Sequence, residues 1–322
     1  MSGKFNNKIL LTVVVVLAAL FLVARYAGRG HKEKNLATDI VQIDTTQITS
    51  FTLYPRAEQG TALEFSRQGA LWTVSREGVT AAADSRTVTA ALAELKDLAT
   101  EQLVARSPEQ RAEYQVDDSL GSRIVIREGK KNTLDLVVGR FQYQPPPRNS
   151  YNQYGGGQGS GKTYVRLSGE DEIYAVEGYL ALSINQAFDR WRDASVTRVH
   201  AEQLSRILFD YPADSGYVAE KNDAGWMVAG IMADSASMAA YLKGLSRHTG
   251  RDFLDGYLPD GEPDYRVSFE GDNMAAQQVR AYILPDGDLA LNSSINPDTW
   301  FRSPGDGLFA KLFPAAGSLL GK

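Results

Sequence analysis

The sequence predicts an α+β fold: two related modules, each a mostly antiparallel sheet with a helix packed on it, behind one N-terminal membrane helix. Three observations predict it. One long apolar run stands near the N-terminus. Residues 48–98 and 204–245 repeat the same pattern of short alternating strands followed by a capped amphipathic helix. A chain of 322 residues, 43% hydrophobic and 23% charged, is long enough for one large or two medium cores.

Residues 1–8 form a short tail carrying Lys4 and Lys8, and residues 9–28 read as a transmembrane anchor. Ile9 to Ala24 contain one polar residue, Thr12. That run spans only about 24 Å of a roughly 30 Å hydrocarbon core, and continuing through Arg25, Tyr26, Ala27 and Gly28 closes the gap. Arg25 can snorkel and Tyr26 can sit at the interface. The competing reading is a cleavable signal peptide, but a cut after Ala27 places Arg25 at the −3 position and a cut after Ala24 places Leu22 there. The basic flanks are Lys4 and Lys8 before the run and Arg25, Arg29, Lys32 and Lys34 after it, which by count alone favours a cytoplasmic body. Long domains translocate largely regardless of charge, and a short basic tail before an apolar run resembles a bacterial signal anchor. The expectation is a single-pass protein of the bacterial inner membrane with a periplasmic body, joined to its anchor by a linker over 29–45.

The first module is expected over 46–193. Ile48 to Tyr54, Ala62 to Phe65 and Ala70 to Val74 alternate as three strands. The second, over 194–322, repeats them at Ile207 to Tyr211, Tyr217 to Glu220 and Gly225 to Val228. Each copy then reaches Ala-Asp-Ser, and Asp84 and Asp234 are N-caps whose carboxylates accept the free amides of a first helical turn. At +4, +7, +8 and +11 from the Asp stand Val88, Ala91, Leu92 and Leu95 in one copy, and Met238, Tyr241, Leu242 and Leu245 in the other. Those offsets give each helix one buried stripe. Trp72 and Trp226 match as well and are expected to close each sheet onto its helix, an aromatic ligand shelf being the sharper reading. Glu113 to Asp117 and Gly256 to Asp260 follow the two helices, ahead of strands at Ser122 to Ile126 and Tyr265 to Phe269. Between the copies, after a helical stretch from Gly178 to Gln186, charges alternate around Trp191 from Ala187 to Asp193. That pattern predicts a packed junction with ion pairs; the alternative is a ligand-binding pair, Arg190 and Arg192.

Chemistry is sparsely signalled. Zero cysteines exclude disulfides, thiolate metal sites and a cysteine nucleophile, and three histidines (His31, His200, His248) leave little for a metal centre. No cofactor, metal or catalytic residue is expected. Beyond residue 34 the chain holds 28 basic against 38 acidic residues, a poor electrostatic match for nucleic acid. Gly156 to Thr163 satisfies the G-x-x-x-x-G-K-[ST] phosphate-loop pattern. The chemistry needs a strand before and a helix after the loop, so that converging amides cradle phosphates. Here a Pro/Tyr/Gln-rich stretch precedes and an alternating strand, Lys162 to Leu167, follows. The segment 142–161 therefore reads as a flexible hairpin tip and not a nucleotide site. Asp117-Asp118 and Glu170-Asp171-Glu172 sit in turns where solvated acids are expected, and His200 and His248 read as surface or capping residues.

Leu71-Trp72 ahead of Ala83-Asp84, Glu113-Tyr114-Gln-Val-Asp117, Leu136-Val-Val-Gly139, and Tyr164-Val-Arg166 followed by Ile173-Tyr-Ala-Val176 complete a pattern. With the anchor, it resembles the bacterial family catalogued as domain of unknown function 4340. The resemblance implies a membrane-anchored, non-catalytic protein, found beside subunits of ABC-type transport systems that include those linked to gliding motility. It carries over no catalytic residue, and the insertion at 142–161 goes beyond its usual pattern. The functional expectation is an extracytoplasmic accessory or scaffold subunit whose partners are the membrane and an envelope protein such as an ABC-type permease. The alternative is a module binding cell-wall glycan or another small ligand, which an aromatic-lined cleft between the modules would favour.

Overall fold

The computed structural model describes residues 40–129, 131–145 and 159–322. The apolar run at 9–28 and the tip of the 142–161 segment lie outside them. Among the described residues no helix is long and apolar enough to cross a membrane.

The first sheet is built from β1 (Ile48–Tyr54), β2 (Leu63–Gln68), β3 (Leu71–Arg76) and β4 (Val79–Ala82), then α1 (Ser85–Lys96), β5 (Thr100–Ala105), the short α2 (Arg111–Tyr114), β6 (Ser122–Glu128), β7 (Lys131–Gln144), β8 (Ser160–Leu167) and β9 (Ile173–Glu177). Two short helices close it, α3 (Leu180–Ile184) and α4 (Phe188–Trp191). The second runs β10 (Leu204–Asp210), β11 (Tyr217–Asn222), β12 (Gly225–Val228), β13 (Ile231–Met232), α5 (Ser235–Leu245), β14 (Asp252–Phe253), β15 (Tyr265–Gly271), β16 (Gln277–Ile283), β17 (Leu289–Ser293) and β18 (Asn296–Ser303), closed by α6 (Leu308–Leu312) and α7 (Ala316–Leu319). Strand order is β4-β3-β2-β1-β6-β7-β8-β9-β5 in the first sheet and β13-β12-β11-β10-β15-β16-β17-β18-β14 in the second. Position by position the two nine-stranded orders are the same. All pairings between these strands are antiparallel.

The likeness extends to irregularities. In β1 the ladder with β6 shifts register between Ile48 and Ser50; in β10 the ladder with β15 shifts between Leu204 and Arg206. Such a bulge turns the strand by one residue. It lets Ile48 and Phe51, three apart, both face the core, and does the same for Leu204 and Ile207. The Trp72 carbonyl accepts the Ala83 N–H at 2.9 Å, and the Trp226 carbonyl accepts the Ala233 N–H at 2.9 Å. Asp84 Oδ1 takes the Arg86 N–H at 3.0 Å and Asp234 Oδ1 the Ser237 N–H at 2.8 Å, so both predicted caps are in place. Of the eight stripe residues seven are buried and Tyr241 is half-buried, its hydroxyl donating to the Leu312 carbonyl at 3.1 Å. Trp72 is buried and Trp226 half-buried, each against the core its helix covers.

The central strands of the first sheet are buried on both faces. Leu136 to Val138 and Ile173 to Val176 are continuous apolar runs, and β8, whose sequence alternates, still buries Thr163 to Arg166 without a break. Leu136, Val138, Val165 and Val176 join the helix-side core, while Val137, Tyr164, Ile173 and Ala175 join a second layer on the opposite face. That outer layer collects most of the motifs that look scattered along the chain. Tyr114 stacks obliquely on Tyr164 at 4.8 Å, and the buried Arg166 donates from Nε to the Val116 carbonyl at 3.0 Å. Gly139 is what permits this approach: a Cβ there would collide with the Tyr114 carbonyl and with Val116 Cγ1. In the second module Tyr257 plays a similar part, meeting Trp300 at 4.9 Å and Tyr282 at 6.4 Å.

The 142–161 segment is more ordered at its roots than a wholly flexible tip. Gln142 pairs with Lys162, Tyr143 with Gly161 and Gln144 with Ser160. The ladder stops at Gln144, next to Pro145, which has no N–H to give it.

Candidate functional site: the inter-module cleft

The chain leaves the first module through residues 191–198, which are stitched to both sheets. Asp84 N–H donates to the Trp191 carbonyl at 2.8 Å, and Asp193 N–H to the Ala82 carbonyl at 2.7 Å, so the peptide runs against the outer side of β4. From the second module, Asn296 Nδ2 donates to the Asp193 carbonyl at 2.7 Å and the Gly250 N–H to the Ala194 carbonyl at 2.8 Å. Trp191, 1% exposed, packs edge-on against Phe65 at 5.1 Å. The predicted packed junction is present.

Arg192 is its centre. The side chain is buried, forks onto Asp255 at 2.6 and 3.0 Å, reaches Asp189 at 3.2 Å and lies over the Phe253 ring at 3.8 Å. Its Nε has no hydrogen-bond partner among the described residues. Arg192 thus joins the modules, while Arg190 is exposed and no carboxylate pairs with it among the described residues.

Around this junction opens a cleft of about 810 Å³. Six arginines line it, at positions 86, 190, 192, 198, 247 and 251, against three aspartates, Asp84, Asp189 and Asp193. Each aspartate is already engaged. Asp84 caps α1, Asp189 meets Arg192, and Asp193 takes Arg198 at 2.8 Å. Arg190, Arg247 and Arg251 have no acid partner among the described residues. Hydroxyl groups of Thr87, Ser246 and Thr249 share the wall, and Phe253, under Arg192, is the one aromatic ring in it.

The remaining expected sites resolve into local structure. Lys162 lies within β8, and its Nζ meets Glu101 Oε2 on β5 at 2.8 Å. Thr163 is fully buried, its Oγ1 donating to the Gly178 carbonyl at 3.4 Å. A strand, not a helix, therefore follows the glycines. Asp117 accepts from the Ser119 and Leu120 amides, at 2.9 Å each, and from the Ser119 hydroxyl; these bonds outweigh its burial and lower its pKa. Asp171 pairs with Arg111 at 2.5 Å and Asp118 with Arg166 at 3.5 Å. His200 is exposed, whereas His248 is half-buried, and burial, then Lys311, push its pKa down. Among the described residues no group of acids and histidines is placed to hold a metal ion. Sequence reasoning missed the cleft arginines at 86, 198, 247 and 251, because they come from three separate places in the chain, the last two from one loop after α5.

Neither the curated proteins nor the solved structures hold a match to this chain. A family model does match, over residues 72–268, from β3 of the first module across the junction to β15 of the second. That stretch contains Trp72, the Tyr114–Gly139–Tyr164–Arg166 layer and the whole crossover peptide. On that match, and on the packing together of the motifs that first suggested it, the chain belongs to the family described as Domain of unknown function (DUF4340).

Proposed function

We propose that the protein is a membrane-tethered extracytoplasmic accessory or scaffold subunit of a bacterial envelope complex, with no catalytic site of its own, docking an envelope protein such as an ABC-type permease. The observation that carries this reading is the contrast between the two equivalent sheet edges. In the first module the β4 edge is covered by residues 192 and 193. In the second, the Asp234 N–H donates to the Leu319 carbonyl at 3.0 Å, as Asp84 does to Trp191. Among the described residues, however, no chain pairs with the outer side of β13, the terminal strand, whose Ile231 and Met232 are 54% and 49% exposed. An apolar edge strand left open templates pairing with another chain, so folded proteins usually blunt it. The partner that fits is an extended segment adding one strand to the sheet. The glycan-binding alternative loses support because the cleft lacks an aromatic wall.

Copurification of the full chain from mild detergent tests the reading. The expected result is a membrane partner recovered with the wild type and lost with Ile231→Lys/Met232→Lys. Recovery of the protein alone under several detergent conditions, or retention of the partner by the variant, sinks it.

A further inference from the structure

We infer that the inter-module cleft binds a phosphate- or diphosphate-bearing ligand, held between arginines of both modules. This goes beyond the docking reading and does not rest on it.

The charge is the first argument. The chain as a whole carries 34 basic and 39 acidic residues, yet the cleft wall reverses that balance, six arginines to three aspartates. All three aspartates are occupied, so among the described residues no acid compensates Arg190, Arg247 and Arg251. Elsewhere some arginines are given acids, as Arg123 with Asp135 at 2.6 Å and Arg206 with Glu220 at 3.0 Å, and others a neutral amide, as Arg127 with Asn132 and Arg280 with Asn292. In the cleft three without an acid share one concavity. Like charges collected in one concavity repel each other, and clefts with low-dielectric walls focus the resulting field onto anions.

The residue type is the second. Among the described residues lining the cleft, the basic side chains of the Lys/Arg type are all arginine and none is lysine. The guanidinium is a rigid planar fork of donors that matches oxyanions bidentately, where an ammonium is a point charge. The hydroxyls of Thr87 and Thr249 add neutral donors suited to the remaining phosphate oxygens, while the Ser246 hydroxyl already donates to the Lys243 carbonyl at 3.0 Å. Three uncompensated arginines call for more charge than one carboxylate carries; a phosphate monoester or diphosphate supplies it. A volume of about 810 Å³ admits a ligand well beyond the bare anion.

The third argument is placement. Arg86 and Arg190 stand on the first module, Arg247 and Arg251 on the second, and Arg192, buried at the floor, has an unpartnered Nε. A bound anion therefore bridges the two modules at the joint that Arg192 and Asp255 already make.

The test uses the full chain in mild detergent, titrated calorimetrically with inorganic pyrophosphate, and floated with phosphatidylcholine vesicles with or without phosphatidic acid. A glutamate-rich peptide is the third probe. Wild type is expected to bind pyrophosphate, phosphatidic-acid vesicles or both saturably. Affinity should fall roughly tenfold for each arginine removed in Arg190→Ala and Arg190→Ala/Arg251→Ala, as expected for losing a charge-assisted bond. Lys221→Ala, at an exposed position of β11, should bind as wild type. Pyrophosphate binding assigns a free phosphate ligand, and vesicle binding alone a lipid headgroup; both support the inference. Absence of saturable binding to either probe, equal binding by the double variant, or binding of the glutamate peptide alone overturns it. Should the double variant fail to fold, Arg247→Gln takes its place with the same required loss. A negative result here leaves the β13 copurification result untouched, so the two readings fail separately.

Discussion

Arg192 grips Asp255 with two nitrogens, at 2.6 and 3.0 Å, across the boundary between the two sheets. Arg192 is 5% exposed, so removing its partner leaves a buried charge with only Asp189 to face. Asp255→Ala is expected to cost about 2–3 kcal/mol, below the range for fully buried pairs because Asp255 reaches solvent. Arg192→Lys should not restore stability, since an ammonium cannot make the fork or lie flat on Phe253. Urea denaturation of the single variants measures both; a loss under about 0.5 kcal/mol for Asp255→Ala contradicts the assignment.

Gly139→Ala is expected to destabilise the first module by about 2 kcal/mol or more, because the new methyl meets the Tyr114 backbone, which cannot rotate away. The accompanying sign is local: fluorescence or exchange probes near Tyr114 and Tyr164 should loosen before the helix-side core. Gly60→Ala is the comparison, since that glycine has a φ of +80° but open space around it. Its cost is backbone strain alone, about 1 kcal/mol.

Lys162→Ala should leave the protein folded at a cost under about 1 kcal/mol, as the Lys162–Glu101 pair is partly open to solvent. No binding of ATP with magnesium is expected from wild type or variant. Strand amides point alternately to either side and are committed to a ladder, so they do not converge on a phosphate. Saturable ATP binding that disappears in Lys162→Ala contradicts this.

The cap at Asp234 makes a pH prediction. Hydrogen bonds from the Ser237 amide and side chain hold its carboxyl below the ordinary value. A carboxyl whose folded pKa is depressed gives stability that is fully present above its unfolded pKa, about 3.9, and is lost as pH falls through the folded value. Asp234→Asn, which keeps a capping oxygen, should therefore differ from wild type at neutral pH and converge on it as pH falls through the folded value. Thermal midpoints across that range check it; a gap that widens on acidification has the wrong sign.

The duplication was legible because it is written locally. An Asp before a helix, apolar residues at +4, +7, +8 and +11, and a Trp ahead of both need only their neighbours in sequence to be read. The double-sided burial of β7 to β9 was not read from the sequence, where Lys162 to Leu167 alternates and nothing nearby shows what covers a second face. That cover comes from Tyr114 and Val116, and the approach that seats them depends on the missing side chain of Gly139. Strands β5 and β14 were illegible, since each joins its sheet beside a strand far along the chain, Thr100 meeting Val176 and Phe253 meeting Phe301. The cleft was illegible for the same reason. Arg190 and Arg192 could be weighed as a pair, but Arg86, Arg247 and Arg251 become their neighbours only when two sheets meet.

The position of β1 has a mechanical consequence. It is the strand that leads toward the N-terminus, yet it lies inside the sheet, laddered to β2 from Ser50 to Leu53 and to β6 from Ile48 to Tyr54. Tension applied along the chain from that end pulls β1 lengthwise between two neighbours, so both sets of cross-strand bonds are loaded together, in shear. An edge strand in its place would peel off one bond at a time.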